Sequence, residues 1–357
     1  MAGVYISYPF CAQKCTYCNF ASGVFPRELE DRYLSVLLSE LRSTEWPWTP
    51  ETVYLGGGTP SQMVPEALAS ILAAIPGRQW PEATMEAAPG GLNPEKIAAW
   101  RDAGINRVSL GVQSFVQKEL ARTGRRHTAE IVEHEIALLR AAGIGSISVD
   151  LIAGLPGQTA ASWSESLDWV ARLGVPHVSV YMLEVDEDSR LGRELLVLGS
   201  RYGAGDVPGD DAIADFYETA VERLARLGLE RYEISNFARP GFESRHNLKY
   251  WKREPYLGFG ADAHSFDGTM RWQNPETAAD YAASPAALNR IAAEPLSESF
   301  FLGLRLREGV EGNAFPDVIE KFVHDGLVER AGGRVRLTSR GVLLSNEVFA
   351  EFIEPAG

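Results

Sequence analysis

The chain has 357 residues, 45% hydrophobic and 23% charged, a composition typical of a soluble globular protein of one large domain or two ordinary ones. A formal net charge of −14 argues against a nucleic-acid backbone as the main ligand, because that needs a basic footprint. No apolar run reaches the ~20 residues that span a bilayer, which leaves at most peripheral membrane contact. The opening residues MAGVYISYPF lack the basic and apolar regions of a signal peptide, so the expected location is the cytoplasm.

The first predicted strand is Val4–Ser7. It leads into CAQKCTYCNF, which holds every cysteine of the chain: Cys11, Cys15 and Cys18. Three is an odd number, and a reducing cytoplasm disfavours disulfides. Structural zinc usually takes four ligands in two separated pairs. Three thiolates at C-x3-C-x2-C suit an iron–sulfur cluster better, because soft thiolates select it. A 4Fe–4S cluster held by three thiolates keeps one iron open. S-adenosylmethionine (SAM) bound at such an iron would allow radical chemistry. The plain alternative, three structural cysteines, suits a Gln-, Lys- and Thr-containing loop poorly.

Further strands are predicted at Thr52–Leu55, Thr84–Ala87, Arg107–Leu110, Ser146–Leu151 and His177–Met182. Between them lie helical patterns such as residues 28–43 and 128–143, the latter with apolar positions 131, 132, 136, 138 and 139. Six strand–helix units with right-handed crossovers predict an α/β fold, a partial (β/α)6 barrel, working at the C-terminal ends of its strands. The unusual residues fall on that rim: the cysteine loop, GGGTP (56–60), Glu86, Gln113, Asp150 and 182–184. Each also has a plain reading. GGGTP suits a tight turn as well as a bare backbone that binds carboxylate. Glu86 suits an ammonium group, Asp150 either ribose hydroxyls or a turn. Gln113 suits a loop cap, and Arg125 either a carboxylate or solvent.

After residue 184 the rhythm changes. A helix with acids at its start is predicted over 210–228, and ERYEISNF suggests an edge strand. From about residue 295 the order is helix, helix, hairpin, helix, a winged-helix-like α+β domain, with a glycine pair in RAGGRVRLT for the hairpin turn. The expected division is 1–235 for the barrel, 236–294 for a connecting segment and 295–357 for the terminal domain. The helix near 315–325 is not basic, so a lid or packing role is expected rather than DNA binding.

With these motifs in order, the chain resembles the radical-SAM family that contains oxygen-independent coproporphyrinogen III oxidases and their haem-chaperone relatives. The resemblance covers nearly the whole chain. It implies that Cys11, Cys15 and Cys18 hold a 4Fe–4S cluster. It implies that Tyr5, Gly57, Gly58, Thr59, Glu86, Gln113, Arg125 and Asp150 contact SAM. Arg125 is preferred over Arg126 by its spacing from Gln113. Three features favour the chaperone branch. Phe20 stands where the oxidases carry a further cysteine, only ten residues precede Cys11, and HNLKYW (246–251) matches an HNxxYW motif. Ser7 and Ala88 depart from the family's histidine and asparagine, and the loss of that histidine counts against oxidase chemistry.

The resemblance therefore implies a protein that binds haem and delivers it to an acceptor protein. The alternatives are a radical-SAM enzyme acting on a porphyrinogen or a related methyltransferase, which would need an electron donor to cleave SAM, and a redox-sensing winged-helix regulator. Imidazole is a common axial ligand of haem iron. His246 and His264 flank an aromatic stretch with Tyr250, Trp251, Tyr256 and Phe259. With the resemblance, His246 is the first expected haem contact and His264 the second.

Overall fold

Side chains on a strand alternate between its two faces, and that alternation organises the structure, a computed structural model describing residues 2–353. Six parallel strands lie side by side in chain order: β1 (Gly3–Tyr8), β2 (Thr52–Gly57), β3 (Glu82–Ala87), β4 (Arg107–Gln113), β5 (Ser146–Ala153) and β6 (His177–Met182). These are the six predicted strands, several of them longer by up to three residues. Outward positions such as Val53, Leu55, Met85, Val108, Leu110, Val149 and Val180 are fully buried. They pack into one core with apolar residues of the crossover helices, of which Arg27–Ser43 buries Tyr33, Leu37 and Leu41, one turn apart. Asn93, Thr128 and Thr159 cap the helices that follow them. The architecture is the open (β/α)6 barrel expected from the sequence.

Both edges of the barrel sheet are extended. Beyond β6 lie two antiparallel strands in ERYEISNF, β7 (Glu230–Arg231) and β8 (Asn236–Ala238). Beside β1 lies β9 (Tyr256–Phe259), in parallel, followed outward by antiparallel β10 (His264–Phe266), β11 (Met270–Gln273) and β12 (Leu288–Ala292). The stretch read from sequence as a connection thus carries β8 to β12 and continues the barrel's own sheet. Strands of three to five residues are too short to display a period, which is why β9 to β12 were not foreseen.

The terminal region has a second sheet, β13 (Val310–Glu311), β14 (Val328–Ala331) and β15 (Arg334–Leu337), in the order β13-β15-β14. Gly332 and Gly333 form its tight turn with φ of 59° and 82°, conformations that suit glycine. Helices Pro295–Gly303, Pro316–His324, Ser339–Leu343 and Ser345–Ala350 pack around it in the expected winged-helix-like order. Among the described residues no helix is long and apolar enough to cross a membrane.

One hydroxyl ties three of these parts together. Tyr33 on the first helix is fully buried, donates to the Ser7 carbonyl of β1 at 2.8 Å and accepts from the Ala261 N–H after β9 at 2.8 Å. Tyr33→Phe keeps the ring but strands a buried carbonyl and a buried N–H. We expect a loss of about 1–3 kcal/mol in chemical denaturation, with the cysteine loop, which leaves β1 two residues after Ser7, the first region to gain amide exchange.

Candidate functional site

The inner face of the barrel is polar where the outer face is apolar. Tyr5, Ser7, Tyr54, Glu86, Ser109, Asp150 and Ser179 occupy alternate positions, and the register sets Glu86 beside Ser109 and Asp150 beside Ser179. Two carboxylates therefore share one desolvated interior. Asp150 accepts from Ser109 (2.9 and 3.0 Å), Ser148 (3.1 Å) and Ser179 (2.7 Å). Three of these bonds fall on Oδ1, so Oδ2, bonded only by Ser109, keeps acceptor capacity. Glu86 accepts from the Tyr54 hydroxyl at 2.8 Å and lies near the Gly57 N–H. Burial pushes its carboxyl up to about 7, against those hydrogen bonds and with the Asp150 charge adding to the rise. The serines at 109, 148 and 179 were not foreseen, although the alternation in RVSL, SISVD and HVSVY carries their signal.

The cysteine loop closes the rim after β1. A bridge joins Phe10 to Gly23, the Cys11 N–H donates to the Gly23 carbonyl at 2.8 Å, and the Cys18 N–H to the Cys15 carbonyl at 3.4 Å. All three cysteines are free and only partly buried. Among the described residues no three His, Cys, Asp or Glu side chains converge as a single metal ion requires. Three free thiols in one loop at C-x3-C-x2-C spacing fit a donor set giving one thiolate to each of three irons. The segment after β6 covers the loop from outside, where the Leu191 N–H donates to the Thr16 carbonyl at 2.8 Å.

GGGTP holds this loop in place. The Gly58 N–H donates to the Tyr8 carbonyl at 2.8 Å, and the Thr59 N–H to the Phe10 carbonyl at 3.0 Å. A Cβ on Gly58 would lie 2.7 Å from the Pro9 carbonyl carbon, so only glycine permits this approach. The Gly58 N–H and the Thr59 N–H are thus both engaged with the cysteine loop. Gln113 sits beyond an irregularity in the β4–β5 register and has a φ of 71°, a strained conformation that turns its side chain toward Gly111 and Arg125. Arg125 points inward and Arg126 is exposed. The Arg125 guanidinium donates to the Gly111 carbonyl at 2.7 Å and contacts Tyr17 and Cys15, while its buried Nε has no partner among the described residues. An unpartnered guanidinium N–H beside the cysteine loop fits a carboxylate such as that of SAM.

The histidines separate by environment. His127 and His177 are buried and hydrogen-bonded, to the Val112 carbonyl and to Ser148 and Tyr232. His246 is buried too, with Nδ1 at 2.8 Å from Thr52 Oγ1 and Nε2 at 2.7 Å from the Tyr250 hydroxyl. Burial and the nearby Lys249 charge hold its pKa down to about 3, so the ring is neutral. His264 is exposed and lines a cavity of about 390 Å³ with Tyr5, Tyr250, Trp251, Tyr256 and Arg271. Tyr5 stacks on Tyr54 (6.1 Å between ring centres) and so links this cavity to Glu86. A larger cavity of about 600 Å³ beside β7 and β8 mixes charges of both signs and contains none of the candidate residues.

Residues 5–170 match the radical SAM superfamily, and residues 292–344 match the HemN C-terminal domain. The heme chaperone HemW of Lactococcus lactis is 34% identical across 98% of this chain and 96% of its own length. The chain belongs to the HemW family. The HemW of Bacillus subtilis is likewise 34% identical, with 99% of both chains covered. The solved structure of the radical SAM enzyme coproporphyrinogen III oxidase (HemN) from Escherichia coli superposes with a TM-score of 0.84 at 20% identity, covering 98% of this chain and 89% of that one, a likeness of fold. Membership of this radical SAM family implies a 4Fe–4S cluster and SAM. Within this HemW-family chain, Ser7 is buried below the GGGTP turn and the Ala88 N–H donates to Ser61 at 3.3 Å. Phe20 is 66% exposed on the cysteine loop.

Proposed function

We propose that this protein is a haem chaperone that holds a 4Fe–4S cluster on Cys11, Cys15 and Cys18, binds SAM beside it, and carries haem to an acceptor protein. The observation that carries this reading is the likeness to heme chaperones HemW over nearly the full length of both chains. A bound cluster supplies redox chemistry at the iron that the three thiolates leave open. Glu86 receives the SAM ammonium, Arg125 its carboxylate through the free Nε, and Asp150 a ribose hydroxyl through Oδ2. Tyr5 and Gln113 line the same space. Gly57, Gly58 and Thr59 act by fixing the cysteine loop and Glu86.

For haem, the aromatic walls of the 390 Å³ cavity suit a flat macrocycle, and its volume falls in the ordinary range for small-molecule sites. His264 offers an imidazole without breaking any existing bond. His246 would have to leave a buried position and give up two hydrogen bonds, each worth about 0.5–1.5 kcal/mol net. The order of the two expected haem contacts is therefore reversed: His264 first, with His246 acting through Tyr250.

The function is tested by anaerobic reconstitution, haem titration and transfer of the bound haem to an apo-haemoprotein. Conversion of coproporphyrinogen III by the same sample, without haem transfer, would replace this reading with the enzymatic one. Replacing any one of the three cysteines with Ala should abolish stable cluster binding, read as iron and sulfide content, because the chain has no spare cysteine.

SAM affinity should depend on pH in a defined direction. The ammonium needs an ionised Glu86, and the carboxyl titrates at about 7 before SAM binds. Binding should weaken as pH falls below that value, by up to about tenfold per unit. Glu86→Gln should bind SAM roughly 10- to 100-fold more weakly with a flattened pH profile, measured by calorimetry on the reconstituted protein.

His264→Ala should shift or weaken the haem Soret band while cluster content stays normal. His246→Ala should lower stability and affect haem less. The opposite ranking would reinstate His246 as the ligand.

A further inference from the structure

Beside the aromatic cavity, two guanidiniums share one carboxylate. Glu298, on the helix Pro295–Gly303, is buried and receives Arg271 Nε on Oε1 and Arg271 Nη2 on Oε2, both at 2.7 Å. Arg253 Nε donates to the same Oε2 at 2.8 Å. Both guanidiniums lie over the Phe266 ring, Arg271 at 4.3 Å and Arg253 at 5.2 Å from its centre. Two positive charges thus meet one negative within this cluster, with a further acid, Asp262, in the lining of the cavity. Arg253 Nη2 is buried without a hydrogen-bond partner among the described residues. Buried donors without partners are rare and costly, and Arg271, which pairs with the same carboxylate, is the member of this cluster that lines the cavity and that a second carboxylate could reach.

Arg271 is placed to reach such a group. It lines the cavity that His264 and the aromatic residues form, and its side chain is 26% accessible. Its Nη1 makes only a long contact, 3.3 Å, to the Tyr256 hydroxyl. The cavity also has an acid, Asp262, but Gln273 donates to it at 2.7 Å from the neighbouring strand. Leu302, on the same helix as Glu298, completes the lining.

We infer that Arg271 anchors a carboxylate of the ligand in this cavity, exchanging part of its pairing with Glu298 for the ligand. This rests on the haem reading, under which the group is a haem propionate. The ligand class is then a flat aromatic macrocycle bearing a free carboxylate, and the carboxylate is a condition of tight binding.

Two probes separate this from a structural ion pair: haem and its dimethyl ester, titrated into the reconstituted full-length protein by the Soret band. The parent should bind haem more tightly than the ester. Arg271→Gln should weaken haem by about 10- to 100-fold and leave the ester unchanged. Glu298→Gln breaks the same ion pair but frees both guanidiniums, so it should hold or tighten haem. Equal affinity of the parent for haem and ester would overturn the inference while leaving the haem function standing, and that comparison needs no variant. Equal weakening by both substitutions would reduce the pair to a structural latch and overturn it as well. Failure of the parent to bind either probe would overturn the proposed function itself.

Discussion

Strict alternation along six parallel strands is the constraint on which the remainder of the structure depends. Each strand must satisfy helices outside and an open interior inside. The outer positions are Val, Leu, Ile, Met and Ala and make the core. The inner positions are free of that demand and carry hydroxyls, carboxylates and Tyr rings. Because neighbouring strands run parallel and nearly in register, their C-terminal ends arrive at one rim, and chemistry written at distant points of the chain meets there.

Putting two acids on that inner face is costly, since burial disfavours the charged form of each and their charges repel. The barrel treats them differently. Asp150 is surrounded by hydroxyl donors from three strands, so hydrogen bonds offset part of its desolvation, although burial still holds its carboxyl above the usual range. Glu86 has one hydroxyl donor, Tyr54, and its carboxyl is left titrating at about 7. An incompletely satisfied acid is the natural receiver for a cation, whereas the satisfied one with a spare lone pair suits a neutral hydroxyl.

The HNLKYW helix shows how a recognisable motif acts through its neighbours. Buried Glu82 accepts from the His246 N–H at 2.8 Å and the Arg245 N–H at 3.0 Å, capping the helix start from the base of β3. Lys249, also buried, pairs with Glu51 and Glu254. His246 fits between Thr52 and Tyr250, stacking on Tyr54 at 5.2 Å. The motif is thereby locked to the barrel, and what it offers the aromatic cavity is Tyr250 and Trp251.

The sequence by itself determined the six barrel strands, because alternation and β-branched runs are local signals. It also determined the cysteine loop, because three thiols in eight residues admit few uses. Only the tertiary structure decided which donors and rings were still free. Gly58 and Thr59 look open in sequence until the Tyr8 and Phe10 carbonyls take their N–H groups. His246 looks as available as His264 until Thr52, 194 positions away, occupies one of its nitrogens. The strands β9 to β12 were hidden for a related reason: each is too short to show a period and exists because a neighbouring edge offers it hydrogen bonds. Local chemistry names the candidates, but satisfaction of a polar group is a property of contacts between distant residues, and no local pattern records it.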